Sequence, residues 1–177
     1  MGRFSDSYDA GRTYFTRYLD LTGDGTGTKN ANVNASTAAQ DFQCTPSSSQ
    51  TMIISRLLVS LTDTGTLPVD GYGAGAALTN GVTIVLSKNG TETDLTDGIP
   101  LKTNSQWGSL CFDFNQTTKG GAVDNILTVR WTFQKGGTSL QLNGSQGDKF
   151  IARVNDNHTN LVTHYYVIQG YYATGQE

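Results

Sequence analysis

The chain has 177 residues, a net charge of −3 and only 15% charged residues, where an average soluble domain has roughly 25%. Its positive residues are scattered along the sequence, which excludes nucleic-acid binding through a basic stripe. No apolar stretch approaches the roughly 18 residues of a membrane span, so we expect neither nucleic acid nor membrane among the partners.

The N-terminal residues predict a flexible arm. Residues 1–12 are polar, contain glycine and lack apolar periodicity, so we place a single domain at 13–177. The first residues lack the apolar core of a secretory signal, and Asp6 stands where the myristoylation pattern needs Ser or Thr. We therefore expect the chain to be made and folded in a cytoplasm. Two cysteines, Cys44 and Cys111, are too few for a disulfide-stapled module and predict free thiols.

Short runs of β-branched and aromatic residues predict strands along the domain. The first is 13–21, with aromatics on both faces, and the longest apolar run, 52–61, predicts a central buried strand. Between them lies a Gly-, Thr- and Asn-rich loop, 23–40, which could carry a helical turn at 36–41. Further strands are predicted at 82–86, 106–114, 125–134, 139–142, 149–155 and 161–172.

The segment 125–134 shows the clearest alternation of apolar and polar residues. The apolar side chains, predicted to face inward, are Leu127, Val129, Trp131 and Phe133. Turn-forming pairs such as Asn80-Gly81 and Asn143-Gly144 separate the strands. About eight strands without a convincing helix predict an all-β fold, an antiparallel two-sheet sandwich, with a jelly roll favoured over an immunoglobulin-like domain.

No pattern of ionisable residues predicts a metal site. Asp20 and Asp24 have the spacing of the opening of a calcium loop, but Thr22 stands where an acidic or Asn ligand belongs and Ala31 where a bidentate Glu belongs, which favours an ordinary turn. His158 lies in a predicted turn and His164 in a predicted strand. We expect these two histidines to project in different directions and not to share a zinc ion.

Catalytic patterns are absent as well. The sequence has no Gly-x-Ser-x-Gly elbow and no phosphate-binding loop, and the carboxylate pairs Asp63/Asp70 and Asp94/Asp97 lie in turn-like sequence. We therefore expect no enzyme, no catalytic residue and no cofactor. Five Asn-x-Ser/Thr tripeptides are expected by chance in a chain this rich in Asn, Ser and Thr. They begin at Asn34, Asn89, Asn115, Asn143 and Asn157.

Two tyrosine pairs near the C-terminus could take part in binding. In a strand, Tyr165-Tyr166 and Tyr171-Tyr172 each direct one ring inward and one outward. Both faces of this strand could be buried within the monomer. Alternatively, the outward rings could lie at a subunit interface, where Tyr is enriched, or on a sugar-binding surface. The sequence leaves these three alternatives open.

Several segments carry a resemblance to a known group of proteins: 14–20 (YFTRYLD), 78–82 (LTNGV), 94–100 (DLTDGIP) and 127–133 (LTVRWTF). Together they resemble small virion proteins of tailed bacteriophages, in particular capsid decoration (cement) proteins with a jelly-roll-like body. The resemblance implies a structural protein on the virion surface, which docks on the major capsid protein, commonly as a homotrimer, and stabilises the shell. No catalytic residue carries over.

The sequence thus predicts a non-enzymatic decoration protein of the capsid, assembled in the host cytoplasm. The residues predicted to contact partners are Arg3, Phe4, Tyr8, Arg12, Tyr171 and Tyr172. The alternatives are a phage tail, spike or head-fibre component that binds a host glycan, and a carbohydrate-binding module. A glycosidase ranks last.

Overall fold

The computed structural model describes residues 12–111, 114–118, 125–133 and 140–173. Within them one α-helix, α1 (Asn104–Cys111), accompanies ten strands. The strands are β1 (Thr13–Tyr18), β2 (Gln40–Cys44), β3 (Thr51–Asp63), β4 (Val82–Lys88), β5 (Thr91–Asp94), β6 (Phe114–Thr118), β7 (Asn125–Thr132), β8 (Leu140–Asn143), β9 (Lys149–Val154) and β10 (Thr163–Ala173).

The strands form two antiparallel sheets, which confirms the predicted all-β sandwich. The larger sheet has the order β1-β10-β3-β7-β6, with β8 also paired to β3, and the smaller sheet has the order β2-β9-β4-β5. Strands β7 and β8 pair with successive parts of β3. The larger sheet contains the pairs β1–β10 and β3–β7/β8, and the smaller sheet contains the pairs β2–β9 and β4–β5. Successive pairs along the chain therefore alternate between the sheets, as they do when one long hairpin is rolled into a sandwich. This is the jelly-roll arrangement.

The core lies between the sheets and is built by alternation along the strands. In β3 the fully buried side chains Leu57, Val59 and Leu61 face the smaller sheet. Phe42 of β2 reaches across to Tyr166 of β10, with ring centroids 6.3 Å apart. Burial of each large side chain contributes about 1.5–3 kcal/mol, so the paired inner faces hold the sandwich together.

The predicted strand at 106–114 is wrong over most of its length. Residues 104–111 form α1, and only from Phe114 does the chain continue as β6. The helix begins with a capping box: the Gln106 backbone N–H donates to Thr103 Oγ1 (3.2 Å), and the Thr103 N–H donates to Gln106 Oε1 (3.1 Å). This reciprocal pair satisfies N–H groups that a strand would direct to a neighbour. The helical turn considered at 36–41 is also wrong, since Gln40–Cys44 is β2.

Six turns share one local device, an Asx residue followed two positions later by Ser or Thr. In each, the Asx side-chain oxygen accepts both the backbone N–H and the hydroxyl of the later residue, as an Asx turn does. The pairs are Asp20–Thr22, Asp24–Thr26, Asn34–Ser36, Asp94–Thr96, Asn143–Ser145 and Asn157–Thr159. At least three of the five Asn-x-Ser/Thr tripeptides, those at Asn34, Asn143 and Asn157, therefore form turns of this kind.

Two expectations from the sequence fall at the edge of the described residues. The predicted arm, 1–12, lies outside them except for Arg12, so it stays a prediction. Cys44 is a free thiol, buried, with its Sγ 3.9 Å from Met52 Sδ. Burial raises the pKa of this thiol to about 11, which keeps it protonated and unreactive at neutral pH. The Cys111 side chain lies outside the described residues.

We expect Gly170→Ala to destabilise the protein by about 3 kcal/mol or more, because a Cβ at Gly170 would overlap the backbone carbonyl of Ile53 on β3. In thermal denaturation this corresponds to a loss of roughly 10 °C in Tm. The matched control is Gly75→Ala, whose new Cβ would meet only the Tyr72 carbonyl at an ordinary 3.6 Å. Equal Tm values for the two variants would contradict the close β10–β3 approach.

Candidate docking surface

The outer face of the larger sheet carries an unusual set of side chains. Because Phe15, Val59, Tyr166 and Ile168 pack toward the core, their strand neighbours must point away from it. We call the resulting outward surface the tyrosine face. It consists of Tyr14, Thr16 and Tyr18 on β1, Tyr165, Val167, Gln169 and Tyr171 on β10, Arg56, Leu58 and Ser60 on β3, Thr128 and Arg130 on β7, and Arg12 just before β1.

Aromatic pairs across β1 and β10 organise the tyrosine face. Tyr14 lies edge-on to Tyr171 with ring centroids 6.3 Å apart, and Tyr18 lies edge-on to Tyr165 at 5.5 Å. The Arg12 guanidinium sits over the Tyr171 ring, 4.7 Å from its centroid. Such contacts hold the rings in place at about 0.5–1.5 kcal/mol each. Tyr14 nevertheless remains 63% exposed and Tyr18 44% exposed, so two fixed aromatic rings face outward.

The charges of the two outer faces differ. On the tyrosine face the charged residues are Arg12, Arg56 and Arg130, and no outward position of the described strands there holds Asp or Glu. On the smaller sheet, Arg153 bonds both Asp41 and Glu92 at 2.8–2.9 Å. The hydrogen bond from Arg153 lowers the pKa of Glu92. On the smaller sheet Arg153 thus pairs with two carboxylates, whereas the outward positions of the described strands on the tyrosine face supply none.

A groove opens on the tyrosine face where the pairing of β3 and β10 is interrupted. Gln169 pairs with Arg56 but Gly170 pairs with Ile54, so Ser55 is the extra residue of a β-bulge. The groove has a volume of about 370 Å³. Its lining includes Arg12, Thr16, Ser55, Arg56 and Gln169. The Nε atom of Arg56 is buried, and it has no hydrogen-bond partner among the described residues.

The structure brings together some of the predicted contact residues. Arg12 and Tyr171 meet on the tyrosine face, whereas Tyr172 points inward and packs on Phe15 with ring centroids 5.1 Å apart. Arg3, Phe4 and Tyr8 lie outside the described residues. The sequence reasoning missed Tyr14, Tyr18 and Arg56 as members of one surface. Alternation at 14, 16 and 18 was the available signal, but only the pairing of β1 with β10 places those residues beside Tyr165 and Tyr171.

The two histidines do not project in different directions, and that expectation is wrong. Their ring centroids lie 5.3 Å apart, at one end of the sandwich. Tyr72 stacks on His158 at 5.2 Å, and a hydrogen bond of 3.1 Å joins its hydroxyl to His164 Nε2. Trp107 Nε1 donates to the same hydroxyl at 3.4 Å. Tyr72 comes from the loop between β3 and β4, and no local sequence pattern links it to either histidine.

This histidine cluster borders a cavity of about 380 Å³ that Asp63 and Asp156 also line. Both carboxylates are occupied by the backbone: Asp63 accepts the N–H groups of Thr64 and Ala74, and Asp156 accepts those of residues 79–81. Burial lowers the pKa of His158 to about 4 and that of His164 well below its usual range. The cluster therefore ties neutral side chains to loops and offers no poised acid–base pair.

The Asp20–Asp24 segment uses its carboxylates in the same way. Asp20 Oδ1 accepts the N–H groups of Thr22 and Gly23, and the Thr26 hydroxyl donates to Asp24 Oδ1. The Thr22 hydroxyl lies 2.6 Å from both Asp20 Oδ1 and Asp24 Oδ1, so the two carboxylates share its single hydrogen. These hydroxyl bonds lower the pKa of Asp24 to about 2. The part of the chain that the structure describes contains no group of three or more side chains suited to a metal ion. It also contains no helix long and apolar enough to cross a membrane.

No protein-family model matches the chain, and searches of curated proteins and of solved structures return no significant match. Within the described residues, the tyrosine face is the strongest candidate for function.

We expect acid to destabilise the protein through the histidine cluster. The folded state holds the pKa of His158 near 4, whereas the unfolded chain has about 6.5, so the unfolded state binds more protons between these values. The contribution of His158 to the free energy of unfolding is fully present above about pH 6.5. It is lost as the pH drops toward 4, which lowers the free energy of unfolding by about 3 kcal/mol. Urea unfolding at pH 7.5, 6, 5 and 4 measures this. His158→Phe, which keeps the stacking on Tyr72, should reduce the slope and leave the part that comes from His164, whose pKa burial also lowers. A flat profile in the unaltered protein would contradict the argument.

Proposed function

We propose that this protein is a non-enzymatic structural component of a phage virion, a decoration protein that docks through its tyrosine face on the major capsid protein. The observation that carries the proposal is a rigid outer sheet face that presents fixed tyrosines and arginines, with no acidic residue at an outward position of its described strands. Tyr and Arg are enriched at the centres of protein interfaces, where Lys and Glu are depleted. The resemblance to cement proteins and the jelly roll, a fold shared by viral capsid and lectin domains, support it by analogy.

The size of the tyrosine face also bears on the proposal. Four adjacent strands span about 15 Å, and the face runs about 25 Å along them, which gives roughly 400 Å². A stable interface between two proteins buries about 800 Å² on each side. The face is thus sufficient as one contact among several, as in a lattice where each copy touches the shell and its sister copies. The proposed homotrimer supplies such further contacts.

A glycan-binding component of a tail, spike or head fibre is the second candidate. Tyr14 and Tyr18 favour it, because rings exposed by 63% and 44% can stack on sugars. A glycan array separates the two functions, since a decoration protein leaves it silent. Light scattering adds a further test: the decoration proposal expects a mass three times that of the 19.0 kDa chain.

The direct test is binding to expanded capsids, stripped of this protein, from the phage that encodes it. We expect Tyr14→Ala/Tyr18→Ala to weaken binding at least about tenfold, because truncating an interface anchor costs about 2 kcal/mol or more. Copies bound per capsid are counted by quantitative mass spectrometry over a range of concentrations.

The control for this experiment is Val69→Ala/Ile99→Ala, which removes two side chains of similar exposure, 64% and 61%, outside the tyrosine face. We expect this variant to bind as the unaltered protein does. Equal binding by all three proteins, or a strong glycan signal, would contradict the proposed docking role.

A further inference from the structure

We propose that the groove at the β-bulge is a carboxylate pocket, in which Arg12 and Arg56 receive an Asp or Glu side chain of the protein on which the tyrosine face docks. This inference rests on the proposed docking role and specifies the chemistry of the partner. The juxtaposition that carries it is two arginines from separate segments, Arg12 before β1 and Arg56 on β3, lining one groove.

Among the described residues, the groove holds positive charge and no counterion. The described lining residues are Arg12, Tyr14, Phe15, Thr16, Ser55, Arg56, Gln169 and Gly170, and none of these is acidic. Two guanidinium groups that share a groove repel each other, and an anion between them removes that repulsion. The rest of the molecule has an excess of acidic residues, because the whole chain carries a net charge of −3. The positive groove is thus a local feature and does not follow from the overall charge.

The donors in the groove match a carboxylate. Arg56 lines the groove, and its buried Nε has no hydrogen-bond partner among the described residues, so no acceptor holds the guanidinium at that atom. A guanidinium presents parallel N–H groups, which a carboxylate accepts through both of its oxygens. Thr16 and Ser55 supply hydroxyl donors at the rim, and the Gln169 side-chain amide donates to Thr16 Oγ1 at 3.3 Å, which orients that hydroxyl.

The surroundings favour a protein carboxylate over the phosphate of a nucleic acid. Exposed tyrosines flank the groove, and they would cover a salt bridge and exclude water from it, which strengthens the charge pair. Nucleic-acid binding needs positive charge spread along a strand of phosphates. The tyrosine face has three arginines, and only two of them line the groove. An acidic patch on a protein shell is therefore the occupant that the charges fit.

The probe for the test is poly-L-glutamate, titrated against the full chain at low salt, with oligo(dT) of equal charge as the second arm. We expect poly-L-glutamate to bind more tightly than oligo(dT). Arg12→Gln/Arg56→Gln should weaken poly-L-glutamate binding about tenfold, and Arg12→Lys/Arg56→Lys should give an intermediate loss, because lysine keeps the charge but loses the paired donors.

The control is Lys29→Gln/Lys88→Gln, which removes the same charge at two exposed positions away from the tyrosine face. We expect it to bind poly-L-glutamate nearly as the unaltered protein does. Equal weakening by both double Gln variants, or tighter binding of oligo(dT), would overturn the carboxylate pocket.

The same variants on capsids separate this inference from the docking role. If both Tyr14→Ala/Tyr18→Ala and Arg12→Gln/Arg56→Gln reduce capsid occupancy, both proposals are supported. If only the tyrosine variant does so, the docking role holds and the carboxylate pocket is wrong. If neither reduces occupancy, the docking role itself fails.

Discussion

The antiparallel pairing of β3 with β10 is the constraint on which both the core and the tyrosine face depend. In this pairing Tyr166 lies opposite Val59 on the inner face, and Val167 lies opposite Leu58 on the outer face. A slip of one residue would exchange the two faces of the sheet. Ile54 and Leu57 are three positions apart and would point to opposite faces of a regular strand. The bulge at Ser55 allows both of them to face the core. The same bulge opens the groove, so one irregularity serves packing and surface together.

Most of the fold followed from patterns that the sequence contains. Alternation at 127–133 and the long apolar run at 52–61 predicted β7 and β3, because side-chain burial repeats every two residues in a strand. Helix α1 was missed because Leu110 and its neighbours resemble a strand, although Thr103 and Gln106 have the spacing of a capping box. Strands β2 and β5 were missed as well. β5 consists of four exposed residues, so it has no inward apolar face to detect.

The candidate surface was less predictable, because it is assembled by distant segments. Tyr171 and Arg12 were identified from the sequence, but their contact depends on β1 lying beside β10. Arg56 lies within a run interpreted as wholly buried, and only the bulge directs it outward. The histidine cluster has the same origin: Tyr72, Trp107 and His158 come from three separate connections or elements and meet His164 only in the folded chain. Outward side chains do not take part in core packing, so their composition is a more direct indication of function than that of the inward side chains.

Side-chain footprinting with hydroxyl radicals tests most directly whether the tyrosine face is covered in an assembly. The free protein and the capsid-bound protein are oxidised in parallel, and modification is quantified at single residues. The account predicts that oxidation of Tyr14 and Tyr18, exposed in the free chain, slows several-fold on binding. Ile99, outside that face and also exposed, should react at the same rate in both states. Unchanged oxidation of both tyrosines with protection of Ile99 would contradict the account.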